Sequence, residues 1–364
     1  MTVNFQSLAR SFVCDIPVYE PGRPIEEVAR ELGLKPARVI KLASNENALG
    51  PSPKALAAMR AALSSAHLYP DGGAFHLRQA LAAKLLINPE NLIFGSGSNE
   101  IIEFLFHAFV APGDEVVVGD RAFVIYKFMC RMFQAKCVEV PFREHTHDLP
   151  AMAAAITKKT KLVFVANPNN PTGTRVDNTA LDTVIRGLPR HVIGVLDEAY
   201  IEFLDDPPPS ITYALKHNVV LLRTFSKIVG LAGLRIGYGI AQKECIALLQ
   251  RVRQPFNVNS IAQAGALAAV GDTAHVRRTK VMTRRGLAYL EKEFRRLKLE
   301  FVPSCANFIL VRVGDGDAVF QKLQRQGVIV RPMRAYKMPE WVRVTVGLPA
   351  QNRRFIRALA ATVG

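Results

Sequence analysis

Between about residues 47 and 255, short apolar runs alternate with amphipathic helical segments, and few architectures satisfy that rhythm. The runs at 92–94, 115–118, 162–166, 192–196 and 219–222 carry almost no polar interruption, which predicts strands buried on both faces. The segments 75–86, 99–110 and 181–187 show helical spacing of apolar residues. Strands of this kind joined by helices predict an α/β fold, a mostly parallel sheet covered by helices. In such sheets ligands gather at the carboxyl ends of the strands. After residue 256 the texture changes. A long helical stretch over 273–299 leads to a strand at 307–313, a helix near 317–326, two short strands at 328–331 and 342–346, and a terminal helix from Gln351. The expected organisation is therefore a large domain over 47–255 and a smaller α+β domain over 256–364, with residues 1–46 forming an arm packed on the latter.

Composition excludes several classes. At 364 residues, 49% hydrophobic and 21% charged, the chain has the balance of a globular protein, not that of a disordered, fibrous or disulfide-stapled one. The opening MTVNFQSLAR lacks a basic-then-apolar signal pattern, and the apolar stretch 101–112 is too short and too polar to span a membrane. The five cysteines are odd in number with no CxxC pair; they read as small apolar fillers in a reducing, cytoplasmic setting. His145-Thr146-His147 lacks a third ligand and reads as a solvated loop, so no metal is expected.

Charge is the compositional anomaly. The net charge is +16, and residues 277–298 hold nine basic against two acidic residues. No nucleic-acid-binding motif accompanies the stripe. Val276, Lys280, Val281 and Met282, then Leu287, Leu290, Phe294 and Leu297, fall near helical spacing. A long solvated helix is predicted, with attraction of small anions as a secondary effect.

Four features fall at predicted strand ends. Thr224-Phe225-Ser226-Lys227 follows an apolar strand, with Arg235 eight residues beyond Lys227 in a glycine-flanked turn. A lysine so placed can condense with an aldehyde, while Thr224, Ser226 and Arg235 suit a phosphate; the tetrapeptide alone would pass for a surface turn. Asp197, in Val195-Leu196-Asp197-Glu198-Ala199-Tyr200, is an acid at the end of an apolar strand. It suits a protonated pyridine nitrogen, and Tyr200 a ring hydroxyl, but the tetrapeptide Asp-Glu-Ala-Tyr reads equally as a capped helix start. Asn167-Pro168-Asn169-Asn170-Pro171-Thr172-Gly173 is a tight turn whose Asn170 amide can donate to a ring oxygen, or a plain loop. Gly95-Ser96-Gly97-Ser98-Asn99 precedes a helix and offers free N–H groups to a phosphate, although Glu100 would repel one.

Together these features describe a phosphorylated pyridine aldehyde held by a lysine, and the chain resembles the fold-type I pyridoxal-phosphate aminotransferases of class I/II. Lys41-Leu42-Ala43-Ser44-Asn45-Glu46-Asn47, Pro51-Ser52-Pro53, Tyr69-Pro70-Asp71-Gly72, the Gly95 turn, the Asn169-to-Gly173 turn, Asp197 to Tyr200, Ser226-Lys227, Arg235 and Arg343-Val344-Thr345-Val346-Gly347 occur in the family's order. The resemblance implies pyridoxal 5'-phosphate as cofactor, Lys227 as its covalent holder, Asp197 as partner of the ring nitrogen, and Asn170 and Tyr200 as ring-oxygen contacts. It implies a phosphate cup of Gly97, Ser98, Asn99, Thr224, Ser226 and Arg235, with Phe123 stacked on the ring. Asp120-Arg121-Ala122-Phe123 departs from the family's usual Pro-Thr or Pro-Ser before the aromatic and leaves Tyr126 as a second candidate. Tyr69 resembles a tyrosine that reaches the neighbouring subunit's cofactor, which implies a homodimer with shared sites. Arg343 resembles the arginine that holds the acidic end of the substrate, carboxylate or phosphate. Tyr19 and Arg331 fall where the histidinol-phosphate branch gathers its substrate phosphate, Arg331 by itself also reading as a surface residue.

The implied reaction is two-stage amino transfer, L-histidinol phosphate to 2-oxoglutarate being the first choice. The alternatives are transamination of phenylalanine or tyrosine and, further off, phosphothreonine decarboxylation. The family also holds DNA-binding regulators, but 46 residues before the large domain are too few for a winged helix plus an arm, and no nucleic-acid partner is expected.

Overall fold

The apolar runs form strands because they leave no polar face to turn toward water. In the computed structural model, which describes residues 3–18, 22 and 24–363, β1 (Ile40–Lys41) precedes a seven-stranded sheet. Its strands are β2 (Leu92–Gly95), β3 (Glu115–Gly119), β4 (Lys136–Val140), β5 (Thr160–Ala166), β6 (Ile193–Asp197), β7 (Val219–Thr224) and β8 (Gly237–Ile240), in the order β2-β8-β7-β6-β5-β3-β4. The strands β3 to β7 pair in parallel, and β8 runs antiparallel to both β2 and β7. Alternate residues serve opposite faces. Val117, Val163, Val165 and Leu221 enter one core with Leu77 and Leu81 of the helix Phe75–Leu85 and Leu181 of the helix Asn178–Gly187. Val116, Val118, Phe164 and Leu222 enter the other with Ile101 and Leu105 of the helix Ser98–Phe109 and Met129 of the helix Val124–Met132. Each such side chain contributes roughly 1.5–3 kcal/mol on burial.

A second, antiparallel sheet comprises β9 (Phe301–Val302), β10 (Phe308–Arg312), β12 (Arg331–Pro332) and β13 (Trp341–Thr345), while β11 (Val328–Ile329) pairs in parallel with β1. Leu290 and Phe294 of the long helix Thr273–Arg296, with Phe355 and Leu359 of the helix Pro349–Val363, cover Ile309, Val311, Val342 and Val344. Val28 and Ala29 of the helix Ile25–Glu31 pack on Ile329. Among the described residues no helix is long and apolar enough to cross a membrane.

Several local expectations need correction. The single strand read at 328–331 is two strands in different sheets. The first half of the long helix buries His275, Thr279, Thr283 and Gly286, a mostly polar stripe, and leaves Val281 42% exposed. His147 is not solvated: it is buried against the Phe142 ring, 4.6 Å between centroids, and burial pushes its pKa down to about 4. Cys14 is exposed, so it fills no core space.

Candidate active site

Three parallel strands end around one cavity of about 300 Å³, whose wall includes Asn45, Phe123, Asn170, Asp197, Lys227 and Arg343. Asp197 is the last residue of β6 and pairs in register with Ala166 at the end of β5. Thr224 closes β7, and the chain turns there into Ser226 and Lys227. Beside them Gly97, at φ +77°, caps the helix Ser98–Phe109. Its first N–H groups have no carbonyl within the helix to bind. These termini meet because the strands are parallel, so that residues distant in sequence end on one rim.

The buried carboxylate of Asp197 is held by two donors. The Tyr126 hydroxyl donates to Oδ2 at 2.6 Å and the Ala199 N–H to Oδ1 at 3.2 Å. Burial raises the Asp197 pKa above its usual value, and the two hydrogen bonds oppose that rise. An acid so enclosed is matched to a cationic N–H donor. Lys227 is half-buried, with Nζ 5.7 Å from the centre of the Tyr200 ring and 3.5 Å from the Ser44 carbonyl oxygen. Burial, then the charges of Arg343 and Arg235, push its pKa down to about 8. A substantial neutral fraction near pH 8 is what a nucleophile and base requires. Tyr200 accepts a hydrogen bond at 2.9 Å from Asn45 Nδ2, and burial pushes its pKa up to about 12, keeping it a donor.

At the other end of the cavity the donors converge. Arg235, at φ +52°, reaches back to Ser226 Oγ (3.4 Å), and the Ser226 N–H is fixed by Thr224 Oγ1 (3.0 Å). A Cβ at Gly97 would lie 2.5 Å from an Arg235 guanidinium nitrogen, so only glycine admits that arginine beside the helix terminus. Glu100 does not face this anion cradle. Its carboxylate turns back to accept from the Ser96 N–H and Asn257 Nδ2, both at 2.6 Å. Positive cradle, amine and buried carboxylate thus fit a flat phosphorylated ring bearing an aldehyde and a basic nitrogen. The cavity is ample for such a group.

On the substrate side, Arg331 and Arg343 lie directly opposite each other in the β12–β13 register, and both line the cavity. Arg343 donates to Asn170 Oδ1 and, at 2.8 Å, to the Ala43 carbonyl, which leaves the Asn170 NH2 group directed to other acceptors. Register partners on neighbouring strands project to the same face of the sheet, so both guanidinium groups are carried on one side of it.

Of the residues singled out from sequence, Ser98, Asn99, Phe123, Asn170, Asp197, Tyr200, Thr224, Ser226, Lys227, Arg235, Arg331 and Arg343 line this one cavity. Tyr19 lies outside the described residues. Tyr69 lies elsewhere on the surface, 84% exposed and stacked on Phe256 at 4.8 Å. Between the two stacking candidates, the Tyr126 ring already stacks on Phe164 (4.4 Å), while Phe123 meets Tyr126 edge-on and is half-buried at the wall. Sequence reasoning missed Tyr126 as the Asp197 donor and Asn45 as the Tyr200 donor. The positive φ of Asn45 is a conformation Asn tolerates, but nothing local announces either contact.

Residues 37–359 match the aminotransferase class I and II family. The chain is 48% identical over 359 residues to a histidinol-phosphate aminotransferase of Akkermansia muciniphila, covering 98% of this chain and 99% of that protein. It is 51% identical over 355 residues to histidinol-phosphate aminotransferase 1 of Cupriavidus pinatubonensis, covering 96% and 94%. The fold superimposes with a TM-score of 0.89, at 26% identity over 97% of this chain and 96% of the other, on histidinol-phosphate aminotransferase from Sinorhizobium meliloti in complex with pyridoxal-5'-phosphate. By sequence and by fold, the chain belongs to the class I and II aminotransferases.

Proposed function

We propose that this aminotransferase uses pyridoxal 5'-phosphate, takes L-histidinol phosphate as amino donor and 2-oxoglutarate as acceptor, and works as a cytoplasmic homodimer in histidine biosynthesis. The observation that carries the donor assignment is the Arg331–Arg343 pair across β12 and β13. Two guanidinium groups on one face suit a phosphate dianion, whereas a single carboxylate needs only one. The names of the relatives above support the same reading.

In this reading Ser98, Asn99, Thr224, Ser226 and Arg235 hold the cofactor phosphate, around the space that Gly97 leaves open. Asp197 keeps a proton on the ring nitrogen, with Tyr126 fixing the carboxylate. Tyr200 and the Asn170 amide donate to the ring oxygen, Phe123 covers one ring face, and Tyr69 of the partner subunit reaches the phosphate. When bound, the cofactor supplies an aldehyde carbon and an electron-withdrawing ring that stabilises charge at the donor's α-carbon. Lys227 does the proton work. Its Nζ, with a pKa near 8, would take the α-proton from the donor's carbon and, as the ammonium so formed, would be the acid that gives it back. Arg331 and Arg343 fix the donor's anionic end so that the α-proton faces that nitrogen.

The test is a half-reaction on cofactor-loaded enzyme. L-histidinol phosphate, phenylalanine, tyrosine and glutamate are added separately, and loss of the visible absorption band is timed. Histidinol phosphate should bleach the band far faster than the aromatic amino acids. Faster bleaching by phenylalanine or tyrosine would make this an aromatic aminotransferase with Arg343 as a carboxylate clamp. Release of carbon dioxide from phosphothreonine would make it a decarboxylase.

A further inference from the structure

The basic stripe of the long helix is not explained by the active site. Part of it is answered locally: Lys280 and Arg284 share Asp205 at 3.1 and 2.7 Å, Arg295 holds Glu291 at 3.3 Å and Arg296 holds Glu293 at 2.8 Å. Arg277, Arg278 and Arg285 have no such carboxylate among the described residues, and neither does Arg353 on the first turns of the helix Pro349–Val363. These four arginines line one groove of about 560 Å³, separate from the catalytic cavity.

The walls of that groove are apolar. Leu49, Val281, Met282, Tyr289 and Pro349 contribute them, with Leu49 40% and Val281 42% exposed. Its floor is set by close backbone approach: a Cβ on Gly286 would fall 2.3 Å from Val346 Cγ1. No Asp or Glu lines it. An apolar cleft ringed by four cations and no anion is complementary to a molecule with a compact apolar body and an acidic group. The concave shape and apolar walls favour such a ligand over a nucleic-acid backbone, which would follow the charge along an open face.

We propose that this groove is a second binding site, for a small amphiphilic organic anion: an aromatic or aliphatic body carrying a carboxylate, sulfonate or phosphate. The site runs along the long helix, between it and the start of the helix Pro349–Val363. Leu49 on its wall is two residues from Asn47, whose Nδ2 donates to the Ile228 carbonyl (2.8 Å) and to Thr279 Oγ1 (3.1 Å). Ile228 follows Lys227 directly.

Cofactor-loaded enzyme titrated with 8-anilinonaphthalene-1-sulfonate tests this by fluorescence. N-phenyl-1-naphthylamine supplies the rings without the charge, and pyrophosphate the charge without the rings. The sulfonate should bind saturably, one per chain, more tightly than either partial probe and more weakly as salt is raised. Arg278→Ala and Arg353→Ala should each weaken it about tenfold, with turnover in the absence of probe unchanged. Affinity indifferent to both substitutions would overturn the proposal. So would displacement of the probe by saturating amino donor, which would place it in the active site. The proposal also fails if the groove binds no probe and Arg285→Glu dissociates the oligomer, because a second copy of the chain would then be its occupant.

Discussion

Burying the Lys227 amine between Arg343 and Arg235 lowers its pKa from 10.5 to about 8, and the same shift is a statement about stability. Below about pH 8 both folded and unfolded chains carry the proton, so the folded state bears the full penalty of a half-buried ammonium. Between about pH 8 and 10.5 the unfolded chain binds more protons than the folded one, and the penalty fades as pH rises. Replacing Lys227 with Met should therefore abolish turnover yet stabilise cofactor-free protein at pH 7. The gain should be about 2 kcal/mol, less than the whole shift implies because the amine is only half-buried at the cavity wall. Thermal unfolding at pH 7 and pH 10.5 measures it: the variant should melt higher at pH 7 and level with the parent at pH 10.5. Equal melting at both would mean that the lysine is not desolvated. Asp197 shows the opposite compromise. Its carboxylate stays usable in a buried place because Tyr126, 71 residues earlier, donates to it, a contact that neither residue's neighbourhood in the sequence can disclose.

Elements were legible where both faces are apolar. The run that becomes β5, Lys-Leu-Val-Phe-Val-Ala, has no other environment to occupy, and its end fixes the place of the Asn167 turn. Two strands of the seven-stranded sheet were illegible for physical reasons. β4 is an edge strand with exposed positions, and β8 is Gly-Tyr-Gly-Ile, a composition that signals a turn. Its Gly237 is needed because a Cβ there would sit 2.4 Å from the Ser98 backbone nitrogen, so the strand runs directly beneath the anion cradle. Gly97 belongs to the same packing, with backbone angles of +77° and 166° that suit glycine alone. In Gly97→Ala the new methyl must push the Arg235 guanidinium away, while the strain costs about 1–3 kcal/mol. Cofactor titration of the purified variant should show pyridoxal 5'-phosphate held at least about tenfold more weakly, the fold being retained. Unchanged retention would mean that Arg235 does not hold the phosphate.

On the scale of the whole molecule, one chain does not account for Tyr69. It stands 84% exposed, stacked on Phe256, while Leu68 beside it is 61% exposed. An aromatic and an aliphatic side chain projecting together from a large domain are suited to an interface. If Tyr69 completes the cofactor site of a neighbouring copy, each site takes Lys227 from one chain and Tyr69 from the other. Two defective chains can then repair one site between them. A Lys227→Ala chain lacks its own amine but lends an intact Tyr69, and a Tyr69→Ala chain keeps its amine. Co-expressing the two under separate tags and isolating the doubly tagged species should give one working site per dimer. Turnover in that species should approach about half that of the unaltered dimer, provided that the two sites act independently. Either variant alone should fall well below it. If the hybrid is no more active than the Tyr69→Ala parent, Tyr69 acts within its own chain or not at all, and the sites are not shared.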